Sequence, residues 1–399
     1  MCKLTENRRP LLLCLALVLA VAGLVGVLGR SPARLLDLPL YDYVSFWAAG
    51  RLNLQGQDPY DPALLTRLEK EAAPGPGDVL IMWPAPWALT LLMPFSLLGA
   101  HLSHLLWLAF QFAVLAFAVD WAWRLCGGPP ERRWVAWLLA LTFLPCYLVL
   151  VTGQMGPLLL LGLIGFLHCL KRGRDGWAGA FLVLTAIKPQ LTYLFWVALL
   201  LWAWEGRRWR LVLGGVLGVL ALLAWPVLAN PGLPVCYWHS LTQRTQTHSH
   251  LSPLLGTALR LAWGGRFGLQ FVPMVPGLLW LAWYWRRHRR SWDWGRQLPP
   301  LLFASFLTTA YGAWPFDLVL LLPALLPVAV LLLDAPRRAV VLAVGCHLAI
   351  NLLALAQLLA DVEYFWFVWL TPALLLACAL VRVQARPAPG APLSEPLAA

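Results

Sequence analysis

The stretch W-R-L-V-L-G-G-V-L-G-V-L-A-L-L-A-W-P-V-L, Trp209–Leu228, decides the fold class because its only charged residue is Arg210. About 20 predominantly apolar residues in an α-helix cross the hydrocarbon core of a bilayer, which is about 30 Å thick. Runs of this kind recur along the whole chain. The sequence therefore predicts an all-α, polytopic helical membrane protein with about 10–12 transmembrane helices.

The composition excludes a soluble globular domain. Hydrophobic residues make up 60% of the 399 residues and charged residues only 12%, whereas soluble domains average about 25% charged residues. A transmembrane β-barrel would show alternating hydrophobicity over segments of about 10 residues, and the chain has no such segments. The lipid bilayer is therefore the expected environment, and the cell membrane is the expected location.

The net charge of +12 indicates membrane topology rather than nucleic-acid binding. Most of the 30 basic residues stand in short clusters between apolar runs, and such clusters mark cytoplasmic loops. With the clusters inside, both termini are cytoplasmic and no nucleic-acid partner is expected. The seven clusters are Lys3/Arg8/Arg9, Arg124/Arg132/Arg133, Lys171/Arg172/Arg174, Arg207/Arg208/Arg210, Arg286/Arg287/Arg289/Arg290/Arg296, Arg337/Arg338 and Arg382/Arg386.

A single integral-membrane domain is expected over residues 1–383, followed by a Pro- and Ala-rich cytoplasmic tail, residues 384–399, with the composition of a disordered segment. The N-terminal run Leu11–Gly29 is too long for a signal-peptide core and lacks a clear cleavage site, so it predicts an uncleaved first helix. Two polar segments, residues 30–83 and 229–268, are predicted to be extracytoplasmic loops.

Two segments do not fit straight membrane-spanning helices. Pro84–Leu98 is rich in Pro and Trp and predicts an interfacial or re-entrant helix. Gly176–Trp204 must cross twice to keep the basic clusters on one side, yet its 29 residues reach roughly 43 Å where two crossings need about 60 Å. A turn below the outer surface is therefore predicted near Lys188-Pro189, and Lys188 then lines a cavity. Trp134–Leu150, by contrast, predicts one continuous crossing.

Asp42 is the first candidate for a catalytic group. It opens the segment D-Y-V-S-F-W-A-A-G-R, Asp42–Arg51, in which aromatic residues would hold the carboxylate at the membrane interface. A carboxylate there could accept a proton from a sugar or alcohol hydroxyl. The structural alternatives are a helix N-cap or a salt bridge to Arg51. For Asp58 and Asp61, in D-P-Y-D-P, a turn-forming role is the better interpretation.

Helix ends supply three further candidates. A charged side chain at membrane depth costs free energy, so its presence there suggests a function. Lys188 could bind a lipid phosphate, and snorkelling to the interface is the alternative. Asp317 opens a long apolar helix, so stabilisation by the helix dipole competes equally with a functional role. Gln154 lies in the outer turn Thr152-Gly153-Gln154.

The second predicted loop is rich in His and Arg, including Arg244, His248 and His250. The H-x-H spacing is a weak metal signal without a third ligand nearby, and contact with a phosphate or a sugar is the stronger hypothesis. The eight cysteines show no C-x-x-C spacing. No metal site and no cofactor is therefore expected.

Seven short pieces, in order along the chain, carry a resemblance to a known family. They are D-Y-V-S-F-W-A-A-G-R-L-N-L-Q-G-Q-D-P-Y (Asp42–Tyr60), W-P-A-P-W-A-L-T-L-L-M-P-F (Trp83–Phe95), G-Q-M-G-P-L-L-L-L (Gly153–Leu161), K-R-G-R-D-G-W-A-G (Lys171–Gly179), A-I-K-P (Ala186–Pro189), H-S-H-L-S-P-L-L-G-T-A-L-R-L (His248–Leu261) and Y-G-A-W-P-F-D-L-V-L-L-L-P (Tyr311–Pro323). Together they resemble glycosyltransferase family 87, the polyprenyl-phosphomannose-dependent mannosyltransferase-like members of the GT-C superfamily. The second piece departs from the family pattern at Trp83 and Ala85, which bears on donor or acceptor preference more than on the fold.

The resemblance implies a helical GT-C fold with an extracytoplasmic active site under the first outer loop. It also implies a polyprenyl-phosphate sugar donor, inversion at the anomeric carbon, and a general base in the first loop, here Asp42. The expected activity is transfer of a hexose, with mannose as first choice, to a glycolipid or glycan acceptor. Candidate donor or substrate contacts are Lys188, Arg51, Arg244, Arg260, His248, His250, Asp317 and Gln154.

Other functional classes stay open from the residues alone. A transporter or flippase of a lipid-linked sugar predicts charges at mid-membrane and repeated halves with paired broken helices. Here the polar residues gather at one face, and no repeat is evident. A non-catalytic membrane scaffold, and another GT-C-type enzyme that transfers a whole glycan, are the remaining alternatives.

Overall fold

The computed structural model describes residues 39–73, 82, 84–243 and 251–385, and the regular structure in these ranges is entirely helical. The all-α, polytopic membrane class is thereby confirmed. The first expected crossing, Leu11–Gly29, and residues 386–399 of the expected tail lie outside the described residues. The α-helices are α1 Tyr43–Leu54, α2 Pro62–Ala72, α3 Leu89–Ser96, α4 Ala100–Leu125, α5 Trp134–Thr142, α6 Leu144–Val151, α7 Gly156–Lys171, α8 Asp175–Thr185, α9 Tyr193–Glu205, α10 Trp209–Ala229, α11 Leu233–Gln243, α12 Leu255–Ala262, α13 Met274–His288, α14 Trp294–Thr308, α15 Leu322–Leu331, α16 Arg337–Leu359 and α17 Leu370–Gln384.

Within the described ranges, five helices are long and apolar enough to cross a bilayer, and the number rises to seven if each of two bent pairs is one span. The apolar helices Gly156–Lys171 and Pro315–Leu331 are shorter than a full crossing. The sequence-based count of 10–12 assigned a separate crossing to such short segments. The five long helices are Ala100–Leu125, Trp209–Ala229, Phe267–Ser291, Arg337–Leu359 and Tyr364–Gln384.

Two helix breaks shape the centre of the molecule. Asp175–Thr185 and Pro189–Glu205 meet at 120°, which confirms the turn predicted near Lys188-Pro189. The residue before a proline is driven out of the α region, and Lys188 has φ −130° and ψ 70°. The prediction of a continuous helix over Trp134–Leu150 is wrong. Helices α5 and α6 meet at 63°, because Pro145 has no N–H to continue the ladder of α5.

Glycines bring α8 and α10 into backbone contact. A Cβ atom on Gly214 would lie 1.9 Å from the carbonyl oxygen of Gly176, and one on Gly179 would lie 1.9 Å from that of Leu211. Small residues on facing surfaces allow this approach between membrane helices, where dispersion replaces the hydrophobic effect as the driving force. The contact fixes the first arm of the 120° bend, so it positions Lys188.

Gly214→Ala should destabilise the protein by about 1–3 kcal/mol, because the added methyl overlaps the Gly176 carbonyl. Gly215→Ala is the matched control on the same helix, since its Cβ would stand at an ordinary 3.6 Å from the Gly179 oxygen. The measurement is SDS-induced unfolding of both variants in the same detergent. Equal stability of the two variants would contradict the packing of α8 on α10.

Candidate functional site

Asp42 stands at the N-cap position of α1, but its side chain makes no capping hydrogen bond. The amide Nε2 of Gln154 donates to Asp42 Oδ2 at 2.6 Å, and the Ser45 hydroxyl donates to the Asp42 backbone carbonyl at 2.9 Å. The N-cap alternative for the Asp42 carboxylate is therefore wrong. This carboxylate is oriented by a side chain 112 residues away in the sequence.

Gln154 reaches Asp42 because of how helix α6 ends. Gly153 has φ +69°, its N–H bonds the Leu150 carbonyl at 2.9 Å, and the Gln154 N–H bonds the Val149 carbonyl at 3.0 Å. This is the Schellman arrangement, which needs a residue in the left-handed conformation. The turn is also clamped from outside, since Trp107 Nε1 donates to the Gly153 carbonyl at 2.7 Å.

The start of α1 packs directly against this turn. A Cβ atom on Gly153 would lie 2.7 Å from the Tyr43 Cβ, so only glycine lets Asp42 and Gln154 come within bonding distance. The ring of Tyr43 stacks on His104 and Trp107 at 5.0 and 5.8 Å, and its hydroxyl bonds Ser103. Helix α4 therefore fixes the start of α1, and with it the position of Asp42.

Lys188 links Gln154 to the second buried carboxylate. Its Nζ donates to Gln154 Oε1 at 2.8 Å and to Asp317 Oδ1 at 3.1 Å. The side chains of Lys188 and Asp317 are 13% and 2% exposed, so each charge depends on the other for compensation. Snorkelling is thus wrong for Lys188, since its ammonium points inward.

Asp317 caps a helical segment, as one of the two sequence interpretations proposed, and it also pairs with Lys188. Its Oδ2 accepts from the Trp314 backbone N–H at 3.1 Å, which caps the 3₁₀ segment Pro315–Leu321, while Oδ1 holds Lys188. Gly156 at the start of α7 lets this segment approach, because a Cβ there would lie 2.7 Å from Val319 Cγ1. Four elements distant in sequence thus form one chain of contacts, Asp42–Gln154–Lys188–Asp317.

Aromatic side chains line this chain of contacts, and the sequence did not single them out. Lys188 Nζ lies 5.3 Å from the centroid of the Phe316 ring, within the range of a cation–π interaction. Trp314 stacks near Phe316 at 6.4 Å and meets Tyr364 edge-on at 5.6 Å. For Trp314 and Phe316, the position in Y-G-A-W-P-F-D next to Asp317 was the available signal.

Other predicted site residues lie elsewhere or serve the backbone. Arg51 stands nine residues beyond Asp42, about 13 Å along the helix axis, and it donates to the Ser96 carbonyl at 3.3 Å. Asp58 accepts from the Tyr60 N–H at 2.8 Å, and Asp61 caps α2 through the N–H groups of Ala63 and Leu64. The turn-forming roles predicted for Asp58 and Asp61 are confirmed.

The second predicted loop contains helices α11 and α12. Arg260 of α12 donates to Gln270 Oε1 at 3.1 Å, and Gln270 in turn donates to the Ala310 carbonyl at 2.5 Å. Arg260 is therefore held beside the 309–314 segment, which leads into Asp317, and not in the chain of contacts itself. Arg244, His248 and His250 lie outside the described residues, so their roles remain predictions.

The fold and the site define a polytopic helical membrane protein with two carboxylates, an amide and an ammonium gathered at one end of its helices. The chain belongs to glycosyltransferase family 87, whose model matches residues 85–309, more than half of the 399 residues. The protein is therefore a membrane glycosyltransferase. The match includes Gln154 and Lys188, whereas Asp42 and Asp317 lie on either side of it. No curated protein and no solved structure is detectably similar to the chain.

Gly153→Ala should cost more stability than Gly173→Ala. Both glycines end a helix at positive φ, +69° and +66°, so both variants incur about 1–2 kcal/mol of backbone strain. Only Gly153→Ala also drives a methyl into Tyr43, since nothing lies within 4 Å of a Cβ on Gly173. Unfolding of the two variants in one detergent measures the difference. Equal losses would contradict the clamp of Gly153 on Tyr43.

Proposed function

We propose that the protein transfers a hexose, with mannose as first choice, from a polyprenyl-phosphate donor to a glycolipid or glycan acceptor on the extracytoplasmic side. The observation that carries the proposal is the contact chain Asp42–Gln154–Lys188–Asp317 at one end of apolar helices. A lipid-linked donor presents its phosphate at the membrane surface, where the ends of membrane-spanning helices lie. A base and a cation beside each other suit the displacement of a phosphate by a hydroxyl.

The charge distribution supports the extracytoplasmic assignment. Helix α7 starts at Gly156, next to Gln154, and ends at Lys171, about 24 Å away along its axis. Lys171, Arg172 and Arg174 follow at that far end, and basic clusters of this kind face the cytoplasm. The end of the helix that adjoins Gln154 then faces outside, where polyprenyl-linked sugars are used.

In the proposed step the acceptor hydroxyl oxygen attacks the anomeric carbon from the face opposite the phosphate. The bond between that carbon and the phosphate oxygen breaks, polyprenyl phosphate leaves with the electron pair, and the hydroxyl proton passes to Asp42. Gln154 orients the carboxylate for this role through its 2.6 Å hydrogen bond. Because the product forms by one displacement, the anomeric configuration inverts.

Lys188 is the proposed contact of the leaving phosphate. An ammonium has three N–H donors, and Gln154 and Asp317 accept two of them. These two contacts direct the third N–H toward the proposed phosphate position. The ammonium then stabilises the negative charge that develops on the phosphate without first having to move. Arg260, held beside the 309–314 segment, is a second proposed phosphate contact.

Asp42→Asn should lower kcat by about 10²–10⁴-fold, because an amide cannot accept the proton. The assay uses nanodisc-held protein, labelled polyprenyl-phosphomannose and polyprenyl-phosphoglucose, and a mixed lipid extract. Asp58→Asn is the matched control, since an asparagine keeps the turn that Asp58 forms with Tyr60. Unchanged turnover in Asp42→Asn would remove Asp42 from the mechanism, and no donor consumption by wild type would contradict the proposed donor.

Lys188→Met should destabilise the protein by about 3–5 kcal/mol, because it leaves Asp317 buried without a partner. The double variant Lys188→Met/Asp317→Asn removes both charges and keeps an acceptor for the Trp314 N–H, so stability should return. Transfer activity should stay low in the double variant if Lys188 binds the phosphate. Recovery of activity together with stability would show that Lys188 has a structural role alone.

A further inference from the structure

A cavity lies at the opposite end of α7 from Gln154 and Asp42. It has a volume of about 220 Å³ and lies between α4, α7 and α8. Pockets that enclose drug-sized ligands run to about 300–1,000 Å³, so this one suits a headgroup rather than a whole lipid. It is lined by Trp121, His168, Arg172, Arg174, Trp177 and Phe181, among others.

The cavity carries positive charge without matching carboxylates. Lys171, Arg172 and Arg174 are exposed around the turn between α7 and α8. No carboxylate in the described part of the chain pairs with them. Asp175, the acid next to them in sequence, accepts from Arg208 Nη1 at 3.1 Å instead. An anion from outside the described chain would therefore meet uncompensated arginines.

His168 adds a directed donor to this cavity. Trp121 Nε1 lies 2.7 Å from His168 Nδ1, and because an indole N–H can only donate, Nδ1 is the acceptor. The neutral imidazole then carries its proton on Nε2. A neutral N–H and two guanidinium groups together match the oxygens of a phosphate.

The aromatic part of the cavity suits the membrane interface. Phe181 meets Trp121 edge-on at 5.7 Å, and Trp177 is 66% exposed. Exposed tryptophans next to basic residues are typical of the headgroup level of a bilayer. Basic pockets between helices on the cytoplasmic side bind anionic lipid headgroups in membrane proteins generally.

In a neighbouring cavity on the same face, a carboxylate pairs with the arginines. This cavity is lined by Asp120, Trp123, Arg124, Pro130 and Arg133 and has a volume of about 210 Å³. Its two arginines share one carboxylate, since Arg124 bonds Asp120 and Arg133 Nη1 lies 3.6 Å from the same group, so half of their charge is compensated. The two cavities are alike in volume but differ in charge compensation and in aromatic lining, and both differences favour an anionic lipid at the cavity beside His168.

We propose that the cavity lined by His168, Arg172 and Arg174 binds the phosphate headgroup of an anionic phospholipid in the leaflet opposite the sugar-transfer site. The guanidinium groups hold the phosphate oxygens, His168 Nε2–H donates a further bond, and Trp177 packs against the lipid at the interface. Sugar transfer plays no part in this binding, so the proposal stands apart from the proposed function.

The experiment is native mass spectrometry of delipidated, detergent-held protein titrated with dioleoylphosphatidylglycerol or dioleoylphosphatidylcholine. Each surface arginine contributes roughly fivefold in affinity for an anionic lipid. Arg172→Gln/Arg174→Gln should therefore lose roughly tenfold or more of the phosphatidylglycerol affinity. Arg124→Gln/Arg133→Gln is the matched control, because it removes the same charge from the same face and should lose far less.

Two further arms test the source of the phosphate and the electrostatic nature of the binding. Sodium phosphate should displace the lipid no better than sodium chloride of equal ionic strength; better displacement would assign the site to free phosphate and overturn the proposal. Wild-type binding should weaken as ionic strength rises, because the arginines are exposed and screened. Equal affinity for the two lipids, or equal losses in the two double variants, would also overturn it.

Discussion

The Lys188 ammonium, held between Gln154 Oε1 and Asp317 Oδ1, is the interaction on which the rest of the site depends. In a poorly hydrated interior a carboxylate that is 2% exposed needs a cation close by. Lys188 can supply that cation only because Pro189 breaks the helix at this depth. The helix break, the ion pair and the capped 3₁₀ segment Pro315–Leu321 therefore depend on one another, and together they allow polar groups to be buried among apolar helices.

Glycines make this arrangement of Asp42, Gln154, Lys188 and Asp317 sterically possible. Gly153 admits the start of α1 and Gly156 admits the segment that carries Asp317, since a Cβ atom at either place would lie 2.7 Å from its neighbour. Between them stands Gln154, whose amide uses its donor for Asp42 and its acceptor for Lys188. A side-chain amide has its donor and its acceptor on separate atoms, so Gln154 can donate to a carboxylate and accept from an ammonium at once. This explains why a short G-Q-M-G run can connect a carboxylate to an ammonium.

The same helices give the molecule two chemically different ends. At one end of α7 the polar groups are paired and largely buried. At the other end the arginines are exposed and lack carboxylate partners within the described residues, as suits contact with lipid phosphates. The asymmetry follows from the membrane, because charges that stay unpaired are stable only at its surface.

The sequence by itself determined the membrane class, the break at Lys188-Pro189 and the turn roles of Asp58 and Asp61, because apolar length and proline geometry are local properties. It also nominated Asp42, Gln154, Lys188 and Asp317 one by one. Tertiary structure alone decided that these four side chains meet and that Arg51 does not join them. The bend within Trp134–Leu150 follows from Pro145, a local signal that the sequence analysis did not use. Contacts across 112 and 129 residues depend on how helices pack, and packing is set by many small steric fits that no single segment encodes.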